Sequence, residues 1–329
     1  MSSKESEVLA QKYQRKTDIE HIKDAPDTYI GSVEKDNDIG WVLDEANTMS
    51  RGTYEWVPGF FKLFDEGIVN CRDHQIRLNN KIENKEKNIL PVKNIEIVVD
   101  KDKGTISMLN DGNGIDVVKH PEYNIWIPEM IFGHLRTGTN YDKSEKKIVG
   151  GKNGFGFKLV LIYSKWGTIE TVDHIRKLKY TQKFKGNLSK ICKPKVEKLK
   201  GKVKPYTKVE WLPDYERFGY KNLTSDMFQL FRKRTWDISA VTDKSVKVKF
   251  NNEVIPVKSF ENYIDLYIGP KTEVKRIYDN PHKYWEFAVC VSPLDEFVQV
   301  SYVNGINTKK GGKHVDYIMN QIVKKLVNY

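Results

Sequence analysis

The chain has 329 residues, 39% of them hydrophobic and 12% aromatic. That is enough to bury a sizeable core, form two domains and exclude general disorder. Lys and Arg outnumber Asp and Glu by 55 to 44, a formal charge of +11, compatible with nucleic acid, an anionic membrane surface or an anionic ligand. The polar first fifteen residues hold no apolar stretch of signal or membrane-spanning length. Cys71, Cys192 and Cys290 are too scattered for a structural zinc site and fit a reducing compartment. The expectation is a soluble intracellular protein that does not enter a membrane.

In chain order, residues 1–16 read as a mobile polar arm. A short amphipathic helix begins at Thr17, followed by an extended segment over residues 26–32. Residues 56–78 are strongly helical, with Pro58 and Gly59 at the entrance; residues 79–88 are charged and loop-like. Residues 92–100 and 105–110 alternate as two antiparallel strands around Asp102-Lys103-Gly104. A helix over 127–135 leads into a long polar segment, 136–153, and a second helix starts near 154–158 and runs to Tyr163. Residues 167–212 read as charged strands, 223–241 as a helix, 298–303 as a strong strand and 314–327 as a closing helix. A fresh alternating run near Val246 places a domain boundary at 242/243.

Three segments carry chemistry. At about 100° per residue, Glu66, Asn70 and Asp73 fall within roughly 60° of one another on the helix, opposite Phe60, Phe64 and Ile68. A carboxylate there can deprotonate a water, and an amide one turn on can offer oxygen to Mg2+. On that helix alone, an ordinary polar surface fits better. Asn110-Asp111-Gly112-Asn113-Gly114 follows a strand, where the glycines allow tight turning and close approach of a flat ligand; a ligand-free hairpin loop would look the same. Gly150-Gly151-Lys152-Asn153-Gly154-Phe155-Gly156-Phe157-Lys158 opens onto a helix, a natural phosphate site. It is neither a Walker A loop nor a Rossmann fingerprint.

The order of these segments resembles the gyrase, Hsp90, histidine kinase and MutL (GHKL) ATPases. The resemblance implies an α+β Bergerat sandwich, an antiparallel or mixed sheet with helices on one face, followed by part of an α/β transducer domain. The flanks narrow it. Lys16-Thr17-Asp18-Ile19-Glu20-His21-Ile22, Pro26-Asp27-Thr28-Tyr29-Ile30-Gly31-Ser32, Phe64-Asp65-Glu66, Ile131-Phe132-Gly133-His134-Leu135, Thr139-Asn140-Tyr141-Asp142, Gln299-Val300-Ser301-Tyr302-Val303-Asn304-Gly305 and Gly311-Gly312-Lys313-His314-Val315 are similar to segments of type IIA DNA topoisomerases, in the eukaryotic and large-DNA-virus branch. A chaperone-like or repair-type member of the wider group would lack the N-terminal strap and the 311–315 segment.

The resemblance implies an arm and strap over residues 1–33, an ATP-binding domain over 34–242 and a partial transducer domain over 243–329. It makes Glu66 the general base and Asn70 the Mg2+ ligand. It implies an ATP-binding set of Asn70, Asp73, His74, Asn110, Gly112, Gly114, Thr139, Asn140, Lys152, Asn153, Gly154, Phe155, Gly156 and Lys158, with Tyr29 reaching a partner subunit's nucleotide. Asn110 would meet the adenine edge, and Lys158 would add charge at the triphosphate. Gly138 and His74 depart from the family's usual Ser and Asn, and His74 points to a viral source. The implied partners are double-stranded DNA, a second copy closed on by nucleotide, and the cleavage core of the same enzyme. The compartment would be a cytoplasmic viral factory or virion, or the nucleus if the source is cellular. The lysine that senses the γ-phosphate would follow the closing helix, so the chain reads as a fragment expected to bind ATP and turn it over slowly. The stretch 176–208, with thirteen Lys or Arg, one acid (Glu197) and interleaved Tyr180, Phe184 and Tyr206, fits a DNA-facing surface and the solvated faces of charged hairpins equally well.

Overall fold

The computed structural model describes residues 12–13, 16–135, 137, 155–282, 284–292 and 296–328. Helix α1 (Asp18–Asp24) starts at a capping box, in which the Thr17 hydroxyl accepts from the Glu20 amide and Glu20 accepts from the Thr17 amide. The segment expected to be extended at 26–32 instead begins with a helical turn, α2 (Pro26–Tyr29). Pro26 sits at its first position, where its missing N–H costs nothing.

A hairpin of β1 (Asp36–Leu43) and β2 (Met49–Trp56) follows. Sequence reading missed it because these strands are exposed on much of both faces and show no clean alternation. Helix α3 (Pro58–Glu83) runs 26 residues, past the expected end at 78. Its last charged turn is exposed helix, since Lys and Glu are good helix formers whose polarity mimics a loop.

The centre is a nine-stranded mixed sheet, made of β3 (Asn94–Asp100), β4 (Thr105–Asp111), β5 (Ser164–Asp173), β6 (Leu178–Lys185), β7 (Lys190–Ile191), β8 (Lys195–Lys198), β9 (Tyr206–Pro213), β10 (Lys247–Phe250) and β11 (Glu253–Val254). The order is β11-β10-β3-β4-β9-β5-β6-β7, and β8 also pairs with β6. Every pairing is antiparallel except β10 with β3. Strands β10 and β11 extend the sheet beyond β3, β10 by that parallel pairing and β11 as the edge strand.

Ile95, Ile97, Val99, Ile106, Met108, Ile169, Val209 and Trp211 point to one buried face, at the period of two that a one-sided sheet requires. On that side lie α3, α5 (Gly156–Ile162) and α6 (Ser225–Ala240); α4 (Ile127–Gly133) packs beside them, with Phe132 edge-on to Phe157. Helix α3 approaches the sheet closely at Gly67, where a Cβ would meet Met108 Sδ at 2.7 Å. Phe64 stacks on Phe231 at 4.1 Å to join α3 to α6. These features define an α+β sandwich with helices on one face of the sheet.

The remaining elements are α7 (Phe260–Ile268), the hairpin β12 (Arg276–His282) with β13 (Trp285–Cys290), the hairpin β14 (Tyr302–Val303) with β15 (Ile306–Asn307), and α8 (Lys313–Val327). The strong strand expected at 298–303 shrinks to two residues, because only Tyr302 and Val303 find a ladder partner across the Asn304-Gly305 turn. That turn has φ of 51° and 79°, the left-handed pair that Asn-Gly favours. No helix among the described residues is long and apolar enough to cross a membrane.

Candidate active site

Helix α3 follows strand β4, with Gly67 over Met108 and Leu78 over Gly112, so Asn110 lies on the stretch of strand between those contacts. The Glu66 side chain is 21% exposed, and its Oε1 pairs with Lys62 Nζ at 2.7 Å. Its other oxygen faces the start of α5: a Cβ built on Gly156 would lie 2.5 Å from Glu66 Oε2 and 3.7 Å from Asn70 Nδ2. A carboxylate, an amide and the first turn of the helix that ends the glycine-rich segment thus share one niche. Any side chain at 156 would occupy it.

The other expected residues fall less evenly. Asp73 is fully buried rather than third in an open polar row, and the adjacent Arg72 and Arg77 guanidiniums feel its charge. His74 Nε2 donates to the Asn113 carbonyl at 2.8 Å, and burial pushes the imidazole down to about 4. It is therefore neutral and ties α3 to the 112–114 turn. Asn110 is buried and donates to the Asp111 carbonyl at 3.1 Å. Asp111 accepts from the amides of Lys93 and Asn94 at 2.6 and 2.8 Å.

The two glycines of this turn have protein reasons to be glycine. Gly112 has φ +89°, and a Cβ there would crowd Leu78 and Val92. A Cβ on Gly114 would meet the Val172 carbonyl oxygen at 2.0 Å.

Lys158 is almost wholly buried, and burial lowers its ammonium to about 8. Its Nζ donates to the Thr137 carbonyl and, at 3.0 Å, to the Thr137 hydroxyl. Phe155 is the N-cap residue of α5, and its ring lies 6.4 Å from that of Tyr29, whose hydroxyl bonds His21 Nδ1 at 3.0 Å. Thr139, Asn140, Lys152, Asn153 and Gly154 lie outside the described residues.

Sequence reasoning missed several supports. Thr171 Oγ1 accepts from the Ile115 amide at 2.9 Å, and Asp173 accepts from the Val117 amide at 3.0 Å, fixing the chain beyond Gly114. Asp65, beside Glu66, is paired with the buried Arg234 at 2.6 Å, and Arg234 Nη2 donates to the Gly305 carbonyl at 2.7 Å. The Phe64-Asp65-Glu66 motif contained this acid, but its partner lies 169 residues away.

Sheet, helix face and niche together define an ATPase fold of the gyrase type. The DNA gyrase B family matches residues 244–329. The chain is 40% identical, over 99% of its length, to DNA topoisomerase 2 of Acanthamoeba polyphaga mimivirus, and 39% identical, over 96%, to that of Saccharomyces cerevisiae. It spans 25% and 22% of those two proteins. The crystal structure of the ATPase region of Saccharomyces cerevisiae topoisomerase II superposes with a TM-score of 0.87 at 40% identity, covering 97% of this chain and 81% of that one. The ATPase and transducer domains of DNA topoisomerase II from Balamuthia mandrillaris give 0.87 at 36%, covering 97% and 78%. The chain belongs to the DNA topoisomerase 2 family and corresponds to the ATPase region of its members.

Proposed function

We propose that this chain binds ATP with Mg2+ and hydrolyses it, and that it serves as the nucleotide-driven gate of a type II topoisomerase acting on duplex DNA. The observation that carries this reading is the niche in which Glu66 Oε2 and the Asn70 amide abut Gly156. Glu66 accepts a proton from the attacking water at Oε2, while Lys62 on Oε1 keeps the carboxylate oriented. The glycine at 156 keeps Cβ atoms out of the space beside both side chains.

A hard divalent cation takes oxygen ligands and retains waters. The neutral Asn70 amide suits that role, with phosphate and water completing the shell. When bound, Mg2+ would offset the charge of the phosphates. Asn110, Thr139, Asn140, Lys152, Asn153, Gly154, Phe155 and Lys158 complete the proposed nucleotide set, with Tyr29 directed to a partner copy in a nucleotide-closed dimer. The division into a strap (1–33), an ATP-binding domain (34–242) and a partial transducer domain (243–329) belongs to the same reading, as does a viral source.

The test is Glu66→Gln. Binding of a non-hydrolysable ATP analogue is expected to persist, while hydrolysis falls by a factor on the order of 10²–10⁴. Loss of binding together with hydrolysis would refute the base assignment. Absence of nucleotide binding by the unaltered chain would turn the reading toward a non-catalytic DNA-binding module.

A further inference from the structure

The positive charge of this molecule is segregated. Residues 176–208 hold thirteen of its 55 basic and one of its 44 acidic residues, a net of +12. The other 296 residues carry 42 basic and 43 acidic side chains and are electrically balanced. The segment is not a tail but a folded edge: β6, β7 and β8 close the end of the sheet farthest from β11.

Within β6, Tyr180, Gln182 and Phe184 point into the core, so Lys183 and Lys185 stand on the outer, helix-free face. Lys185 is directly opposite Lys190 across the β6–β7 ladder. Opposed like charges disfavour a strand pair, and no acid is interposed here. Lys193, Lys198 and Lys200 continue the exposed set. The acids on the adjoining strands are already engaged, Glu170 by Lys179 and Glu210 by Lys208, and Glu197 is held by Lys195.

We infer that this lysine edge is a docking surface for the phosphate backbone of duplex DNA, read without regard to sequence. Resting on the DNA-handling function proposed above, the inference deepens it by naming the surface. Three features select the duplex. The free cations are lysines, point charges suited to phosphate rather than forks suited to base edges; the one arginine, Arg176, is bound by Asp116 and Asp173. The outward Lys183 and Lys185 on β6 stand about 7 Å apart, two strand residues, and Lys190 across the ladder from Lys185 adds a third charge beside them. The aromatics that would stack unpaired bases are withdrawn: Tyr180 and Phe184 are buried, Tyr206 bonds Glu170, and Trp166 is covered by Lys183 at 4.7 Å. A single-stranded platform needs exposed rings.

The test measures binding of a 40-base-pair duplex against salt for the unaltered chain and for Lys183→Gln/Lys185→Gln/Lys190→Gln/Lys193→Gln. A control carries Lys85→Gln/Lys87→Gln/Lys244→Gln, exposed lysines elsewhere. Each phosphate contact contributes close to −0.9 to the slope of log affinity against log salt. The edge variant, short of four contacts, is expected to lose about 3.6 from the slope and at least tenfold in affinity at 0.1 M salt, while the control keeps the slope and both keep ATP-analogue binding. An unchanged slope overturns the inference. So does tighter binding of single strands of equal length, or equal, lysine-dependent binding of phosphatidylserine vesicles. If the chain binds no duplex but Glu66→Gln behaves as expected, this surface fails and the ATPase reading stands.

Discussion

Replacing Gly156 with alanine separates the placement of Glu66, the proposed base, from the stability of the fold. The added Cβ would lie 2.5 Å from Glu66 Oε2, where ordinary contact begins at 3.4 Å, so about 1 Å of movement is required. The obstructing atom is the tip of a flexible side chain rather than backbone, so the carboxylate yields and the fold does not. At Gly114 the obstacle is the Val172 carbonyl, which has no such freedom. Residue 156 lies at the first position of α5 outside the left-handed region, so alanine is conformationally acceptable and improves helix propensity by up to ~1 kcal/mol.

Misplacement of a reacting group by about 1 Å costs on the order of 10²-fold in rate. Gly156→Ala is therefore expected to lower kcat for ATP hydrolysis roughly 100-fold, with thermal midpoint unchanged or slightly raised. A coupled phosphate-release assay and a melting curve on the same sample decide it. If kcat holds while the protein remains folded, Glu66 is not the base or is not held against residue 156.

Two further outcomes concern the frame around the site. His74 is held neutral with its imidazole at about 4, whereas in the unfolded chain it protonates near 6.5. Acid therefore favours unfolding: its contribution is full above 6.5 and falls away as pH drops toward 4. Between pH 7 and 5 urea titrations should show a loss of about 2 kcal/mol that His74→Asn removes; an identical pH dependence in the variant would contradict this. Asp65→Ala leaves the Arg234 guanidinium buried without its carboxylate and should destabilise the fold by about 3–5 kcal/mol; a loss below about 1 kcal/mol would show that the pair is not desolvated.

The site was legible where its logic is local. Glu66 and Asn70 are one turn apart, so helical periodicity alone places them on one face, and the glycine-rich approach to α5 advertises a close contact. What lay hidden depends on distant partners. Asp73 looks like a surface acid until the arginines and packing around it are known. Tyr180 and Phe184, whose stretch fitted a DNA-facing surface and solvated hairpins equally well, alternate into the core because β6 has a covered side. The parallel pairing of β10 with β3 joins residues about 150 positions apart, beyond any local pattern.

Asp65 and Glu66 show how adjacent acids on one helix come to face different surroundings. They are neighbours on α3, about 100° apart. Glu66 opens on the niche, while Asp65 enters the interior, where Arg234 from α6 binds it and continues to the Gly305 carbonyl. Arg72, two turns along α3, donates to the Val241 carbonyl at 2.9 Å and packs against the same Gly305, whose φ of +79° keeps the turn tight enough to admit both guanidiniums. A side chain on Gly305 would meet Arg72 at 2.8 Å. The helix that carries Glu66 is thus clamped from behind by a turn of the C-terminal segment. Any displacement of that turn must either move α3 or take the Gly305 carbonyl away from the buried Arg234 Nη2, and leaving a buried guanidinium N–H unmade costs free energy.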